Sequence, residues 1–287
     1  MPLHINVFLT PQLLPPATDL SKSIVLVIDV FRATTTIATA LQNGAKEIYP
    51  YPTLAEAEAK ARELRGRLGE QMVLLCGERG GIKPEGFDAG NSPREYTPEL
   101  VNGKTLILST TNGTQAIARA QAAPLVVAAS FANVQAVVKF LMRYLILSEA
   151  RAFDQTSALA ETSPKQGNNE EVLNGIDTIH CICAGSNGDF SYEDTLCSGA
   201  IVEALAQELF EGEYSVSFSD AAAAARTLYR SVEHLAEALK HSHHAQYLAS
   251  IGFTEDVVFS SQLNTTRIIP LRRADGAFIH WHNPLNL

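Results

Sequence analysis

Long apolar runs are missing from this chain of 287 residues. The longest, such as Ile24 to Ile28, are strand-sized and fall far short of the ~20 residues of a membrane-spanning helix. Cysteine is scarce: 4 residues make no disulfide framework in a chain this long, and they fit reduced thiols and a cytoplasmic setting. Basic residues are outnumbered, 22 Lys and Arg against 31 Asp and Glu, and the net charge of −9 argues against a general nucleic-acid binder. The opening MPLHINVFLTPQLLPP lacks a basic n-region and an adequate apolar core, so no signal peptide is expected. No G-x-x-x-x-G-K-[ST] is present, and no G-x-G-x-x-G follows a strand-like run. Arg79 stands only three residues after Cys76, too close for a cysteine-phosphatase loop to wrap a phosphate. What is present is 46% hydrophobic and 18% charged, a composition that supports a sizeable core and excludes disorder for most of the chain.

The dominant pattern is an apolar strand, a polar or glycine-containing loop, then an alanine-rich amphipathic helix. IVLVI (24–28) reads as a strand buried on both faces, and IATALQNG as a helix stopped by Gly44. EIYPYP is a short strand, and Thr53 with Glu56 marks a helix start running to about Arg67. MVLLC (72–76), KTLILS (104–109) and LVVAAS (125–130) read as further strands, with QAIARAQA and NVQAVVKFLMRYL as helices. Residues 151–175 are polar and unperiodic, which predicts a long loop or insertion. DTIHCICAG then reads as a strand, with Cys181 and Cys183 on one face as small core residues. TLCSGAIVEALAQEL is a helix, AAAAARTLYRSVEHLAEALK one long helix, and TRIIPLRR with GAFIHW a strand pair. The expected class is α/β: a mixed, largely parallel sheet with helices on both faces. The expected organisation is a single region over 1–287, with subdomains 1–150 and 176–287 joined by 151–175 and sharing one cleft.

Ligands of open α/β sheets bind beyond the carboxyl ends of the strands. Four such ends are unusually polar here: Asp29-Val30-Phe31-Arg32, Gly77-Glu78-Arg79-Gly80-Gly81, Thr110-Thr111-Asn112-Gly113-Thr114, and Ala184-Gly185-Ser186-Asn187-Gly188 running on to Glu193-Asp194. Carboxylates with oxygen donors suit a hard cation such as Mg²⁺, and arginines beside them suit a phosphate or carboxylate ligand. Thr34, Thr35 and Thr36 sit where a helix N-terminus begins, and a second terminus follows TTNGT, so backbone N–H groups are available to an anion. Together these imply a metal-assisted site for a multiply anionic small molecule.

Each element has a plainer reading. Asp29 can be a turn residue and Thr34 a helix cap; Arg32 and Arg79 can close surface ion pairs; the GERGG glycines can serve only positive φ. Glu193 and Asp194 open a helix, where the dipole favours acids without any metal. His241, His243, His244 and the His280–His282 pair suggest transition-metal ligands, but no Cys or carboxylate pattern completes such a site, which favours a solvated helix end. Recurrence of polar content at one topological position favours function.

VIDVFRATTT (27–36), CGERGG (76–81), GFDAGNSP (86–93), STTNGT (109–114) and CAGSNGDFSYEDTLCSGA (183–200) together resemble the 2-phosphosulfolactate phosphatases of the ComB type, in family order and over most of the chain. The stretch from about 148 to 175 is longer than that family's usual connection. The resemblance implies a mixed α/β fold and Mg²⁺-dependent removal of phosphate from (R)-2-phospho-3-sulfolactate, giving 3-sulfolactate in coenzyme M biosynthesis. It leaves another phosphorylated 2-hydroxy acid open as substrate.

On this reading Asp29, Arg32 and Glu78 are the expected catalytic residues. Arg32, Thr34, Arg79, Asn112, Thr114 and Ser186 are expected to bind substrate, and Asp29, Glu78, Glu193 and Asp194 to lie near Mg²⁺. Asp29 is a candidate for a covalent phosphoaspartate, with direct attack by water as the other route. The expected partner is a small phosphate ester, with no nucleic acid and no membrane; a homodimer is compatible. The competing class is a non-catalytic module that binds an anionic metabolite.

Overall fold

The computed structural model describes residues 3–156, 175–212 and 214–281. Residues 157–174 of the expected insertion and His282 lie outside the described residues. The strand that dictates the rest is β2 (Ser23–Ile28), in which all six residues are buried. Ile24, Leu26 and Ile28 enter one apolar cluster and Val25 and Val27 another, as the period of two requires of a strand covered on both faces. Its parallel neighbours are β6 (Leu125–Ala129) and β7 (Thr178–Cys183). Beyond β7 come β1 (Leu3–Phe8) and β8 (Val216–Phe218), also parallel. A second parallel block holds β3 (Glu47–Tyr51), β5 (Thr105–Ser109) and β4 (Val73–Gly77).

A tail hairpin of β9 (Pro270–Arg272) and β10 (Phe278–His280) joins the blocks antiparallel, giving one ten-stranded sheet in the order β4-β5-β3-β10-β9-β6-β2-β7-β1-β8. Each junction is one residue pair, Phe278 with Ile48 and Val127 with Leu271. Strands from both sides of 151–175 interleave, so that segment divides the chain but not the sheet, and the expected subdomains 1–150 and 176–287 are not separate sheets.

Helices α1 (Ala33–Gln42), α3 (Pro98–Val101) and α4 (Gly113–Ala120) share one core with Val25 and Val27 of β2 and with Leu106 and Leu108 of β5. Helices α5 (Val134–Thr156), α6 (Tyr192–Glu211) and α7 (Asp220–Arg230) cover the other face of the β2 block. Helix α2 (Leu54–Leu68) packs on Ile107 and Leu75; Thr53 starts it by accepting the Glu56 N–H, and Gly69 at φ +98° stops it. Two expectations need correction. Helix α5 runs on to Thr156 and takes the first residues of the expected loop. The single long tail helix is two, α7 and α8 (Leu235–Lys240): Ser231 turns its hydroxyl back to the Leu228 carbonyl, and His234 is extended. Two short helices, α9 (His243–Ser250) and α10 (Thr254–Ser260), follow. Among the described residues no helix is long and apolar enough to cross a membrane.

Candidate active site

The carboxyl ends of β2, β4, β5 and β7 converge on a cleft of about 330 Å³, lined by Asp29, Phe31, Arg32, Glu78, Thr110 to Asn112, Ser186, Asn187 and, from α9, His243, His244 and Tyr247. Asp29 is held by its own turn. Its N–H donates to Thr34 Oγ1 (3.0 Å), the Thr34 hydroxyl returns to the Asp29 carbonyl (2.8 Å), and Ala33 N–H donates to Asp29 Oδ1 (3.2 Å). Glu78 is fixed by backbone alone: Thr111 N–H donates to Oε1 (2.7 Å) and Gly81 N–H to Oε2 (2.8 Å). Gly80 and Gly81 do take positive φ, and the loop they form is what brings an amide to that carboxylate. A Cβ at Gly113 would stand 2.8 Å from Asp29 Oδ2, so the first residue of α4 must be glycine for the carboxylate to keep its place.

Arg32 is 2% exposed and reaches the cleft from beneath, its Nη1 donating to Asp256 Oδ2 at 2.8 Å. Asn112 Oδ1 accepts the Asn187 N–H (3.1 Å), tying the β5 and β7 loops together. Other expected residues have different occupations. Arg79 is half-buried and donates to Pro52 O, Ser109 Oγ and Glu78 O instead of lining the cleft. Thr34 locks the Asp29 turn, and Thr114 donates to Thr110 O (2.8 Å). Asp194 gives Oδ1 to Val30 N–H (2.8 Å) and Oδ2 to Gly185 N–H (3.1 Å), so it clamps the β2 and β7 loops from behind. Glu193 opens onto the adjoining hollow and accepts from His244 Nδ1 at 3.1 Å.

His244 is the residue that sequence reasoning passed over. Its signal was present: Ser242 caps α9 by accepting the Ala245 N–H, which places His243 and His244 in the first turn. The thiols play no part. Cys76 is buried and pushed up to about 12 by that burial, and Cys181 and Cys183 lie in the core as expected.

The residues fit a hard cation. Asp29 and Glu78 present carboxylates, and two buried oxygens of the lining, Thr110 Oγ1 and Asn91 Oδ1, have no partner among the described residues, which is costly unless something else engages them. Among the described residues no three Cys, His, Asp or Glu side chains gather as a cage for an ion; Mg²⁺ needs only one or two carboxylates and keeps its waters.

Burial pushes the Asp29 carboxyl up to about 6; Glu78 and Glu193 add to the rise, while His244 and the Ala33 amide oppose it. Asp194, buried behind it, is raised too. A carboxyl raised on folding contributes stability that is complete below pH ~4 and is lost as pH rises through about 6. In EDTA, Asp29→Asn should therefore be more stable than the unaltered protein at pH 7 by on the order of 3 kcal/mol. The gain should shrink to near zero at pH 4, as read by paired thermal melts. His180, pushed down to about 4 mainly by burial, changes both proteins alike. A gap that does not vary with pH would mean that Asp29 is ionised without cost.

An α/β sheet whose strand ends gather carboxylates, a buried guanidinium and helix N-termini in one cleft is built to handle an anionic ester. Comparison with known proteins makes the class definite: the chain falls among phosphoric monoester hydrolases. A family model described as 2-phosphosulpholactate phosphatase matches residues 8–146 and 167–275. The chain belongs to that family. The gap in the match, 147–166, takes in the first part of the insertion expected at 151–175, whose last residues lie within the match. A protein of Thermotoga petrophila called a probable 2-phosphosulfolactate phosphatase is 38% identical over 265 residues, covering 92% of this chain and 95% of that relative. Relatives of the same name from Gloeobacter violaceus and Symbiobacterium thermophilum are 35% identical (96% of this chain, 98% of theirs) and 37% identical (90% and 94%).

Proposed function

We propose that this protein hydrolyses 2-phosphosulfolactate, or a closely related 2-phospho-hydroxycarboxylate, to the 2-hydroxy acid and phosphate, with Mg²⁺. The observation that carries the reading is the meeting of Asp29, Arg32 and Glu78 in one cleft. The relatives' printed substrate supports the rest. Arg32 pairs with phosphate oxygens through the N–H groups that Asp256 and Gly81 leave free. Mg²⁺ held by Asp29 and Glu78, with Thr110 Oγ1 beside them, would offset charge on the phosphate as the ester bond breaks. With Nδ1–H given to the Glu193 carboxylate, Nε2 is the ring atom left for the leaving alkoxide, and the doubly protonated ring would give it a proton from there.

A panel of phosphorylated hydroxy acids, the sulfonated one included, tests the proposal by phosphate release; the sulfonated ester should show the highest kcat/KM. No release from any member would overturn it. On the best substrate Arg32→Ala should lose about 2–4 kcal/mol of transition-state stabilisation, a ~30- to 1,000-fold fall in kcat/KM. Arg79→Ala should lose less than about tenfold, because its guanidinium serves the β4 loop. Equal losses would put Arg79 on the substrate.

A further inference from the structure

Asp256 stands 224 residues beyond Arg32 and does not line the cleft, yet its contacts converge on the residue that does. Its Oδ2 accepts from Arg32 Nη1 at 2.8 Å and its Oδ1 from the Ser92 hydroxyl at 2.6 Å. The Arg32 guanidinium is gripped on two further sides: the Gly81 carbonyl accepts from Nη2, and the Phe253 ring, one turn before Asp256, lies 4.3 Å from the guanidinium carbon. A carboxylate, a carbonyl and an aromatic face thus define one orientation for a planar group whose use in binding phosphate depends on direction. We infer that Asp256 is a positioning residue, which sets the affinity of the cleft for phosphate by holding Arg32 in that orientation. The inference rests on the phosphatase reading above for its ligand.

A simpler role is available: Asp256 neutralises a buried cation and anchors the Ser92 loop. The two roles differ in sign. If Asp256 only cancelled charge, removing its charge would leave Arg32 more attractive to an anion, and phosphate would bind more tightly. If it orients Arg32, phosphate binds more weakly although a net negative charge has gone.

The test uses inorganic phosphate with Mg²⁺ present throughout and isothermal titration, with circular dichroism and thermal melts on each variant. Asp256→Asn keeps the shape and should weaken phosphate binding by about 10- to 100-fold, the range seen when a partner that orients a binding side chain is lost. Asp256→Glu should recover part of that loss. The double variant Asp256→Asn with Arg32→Ala should bind no worse than Arg32→Ala alone, because the effect passes through the guanidinium. Ser92→Ala should change binding by less than about threefold while lowering the melting temperature.

Tighter binding by Asp256→Asn, or losses that add in the double variant, would overturn the inference. So would failure of the unaltered protein to bind phosphate. Should neither Asp256 variant fold, Arg32→Ala decides alone: added methylguanidinium should occupy the slot between Asp256 and Phe253 and restore phosphate binding, and no restoration overturns the role. A protein that binds phosphate in this pattern but hydrolyses none of the panel would sink the phosphatase reading and leave this one standing.

Discussion

Asp29→Asn should lower kcat by about 10³-fold or more while leaving the protein folded. The substitution is nearly isosteric in a position with no slack, with Ala33 N–H on Oδ1 and the start of α4 close against Oδ2. What it removes is charge at the point where the β2 loop meets the cleft. Two routes give that loss. If the carboxylate attacks phosphorus, an Asp29 oxygen bonds to phosphorus as the ester oxygen leaves with a proton from His244, and water later splits the acyl phosphate. If Asp29 serves only to hold the cation, water attacks directly and no phosphate ever resides on the protein. The stereochemical course at phosphorus separates them: with an ester carrying a chiral, isotopically labelled phosphoryl group, inversion on transfer to water marks direct attack, and retention marks the covalent route. Near-normal turnover by Asp29→Asn would reject both and move the chemistry to Glu78.

Removing divalent cations should abolish turnover, and Mg²⁺ should restore it in full. The cleft gathers negative charge from Asp29, Glu78 and the nearby Glu193 before a phosphate ester arrives, and Arg32, the one arginine in its lining, already shares its charge with Asp256. An ester that brings phosphate and other acid groups would meet net repulsion without a cation. The check is phosphate release after dialysis against EDTA, then a Mg²⁺ titration. Dialysed protein that turns over at its original rate would show that the unclaimed oxygens of Thr110 and Asn91 answer to something else.

The alternation of strand and helix was legible because each parallel strand is covered on both faces and reads as a continuous apolar run. Asp29 and Glu78 were legible because each ends such a run. Arg79 was not: it follows Glu78 directly, but glycines at 77, 80 and 81 turn the backbone so that its side chain leaves toward Pro52. Asp194 looked like a ligand because acids at a helix start carry no mark of whether they face outward or back into the protein. Asp256 left no local pattern at all, since its meaning lies in a partner 224 residues away. The break at 231–234 was hidden by apolar spacing that continues in register across it. His244 was set aside because a run of histidines after a lysine reads as a solvated end, although Ser242 already announced a new helix.

The hairpin of β9 and β10 gives the molecule an order of assembly. Among the described residues the blocks β4-β5-β3 and β6-β2-β7-β1-β8 share no hydrogen-bonded strand pair except through it, so sheet continuity depends on residues 270–280. Without that hairpin, β3 and β6 would each present an unpaired edge, open to a wrong partner. The pairings that close the sheet span over a hundred residues, the most slowly formed class of contact. Closure of the sheet is therefore the part of folding that topology makes slowest, and β3 and β6 are the edges it leaves open longest.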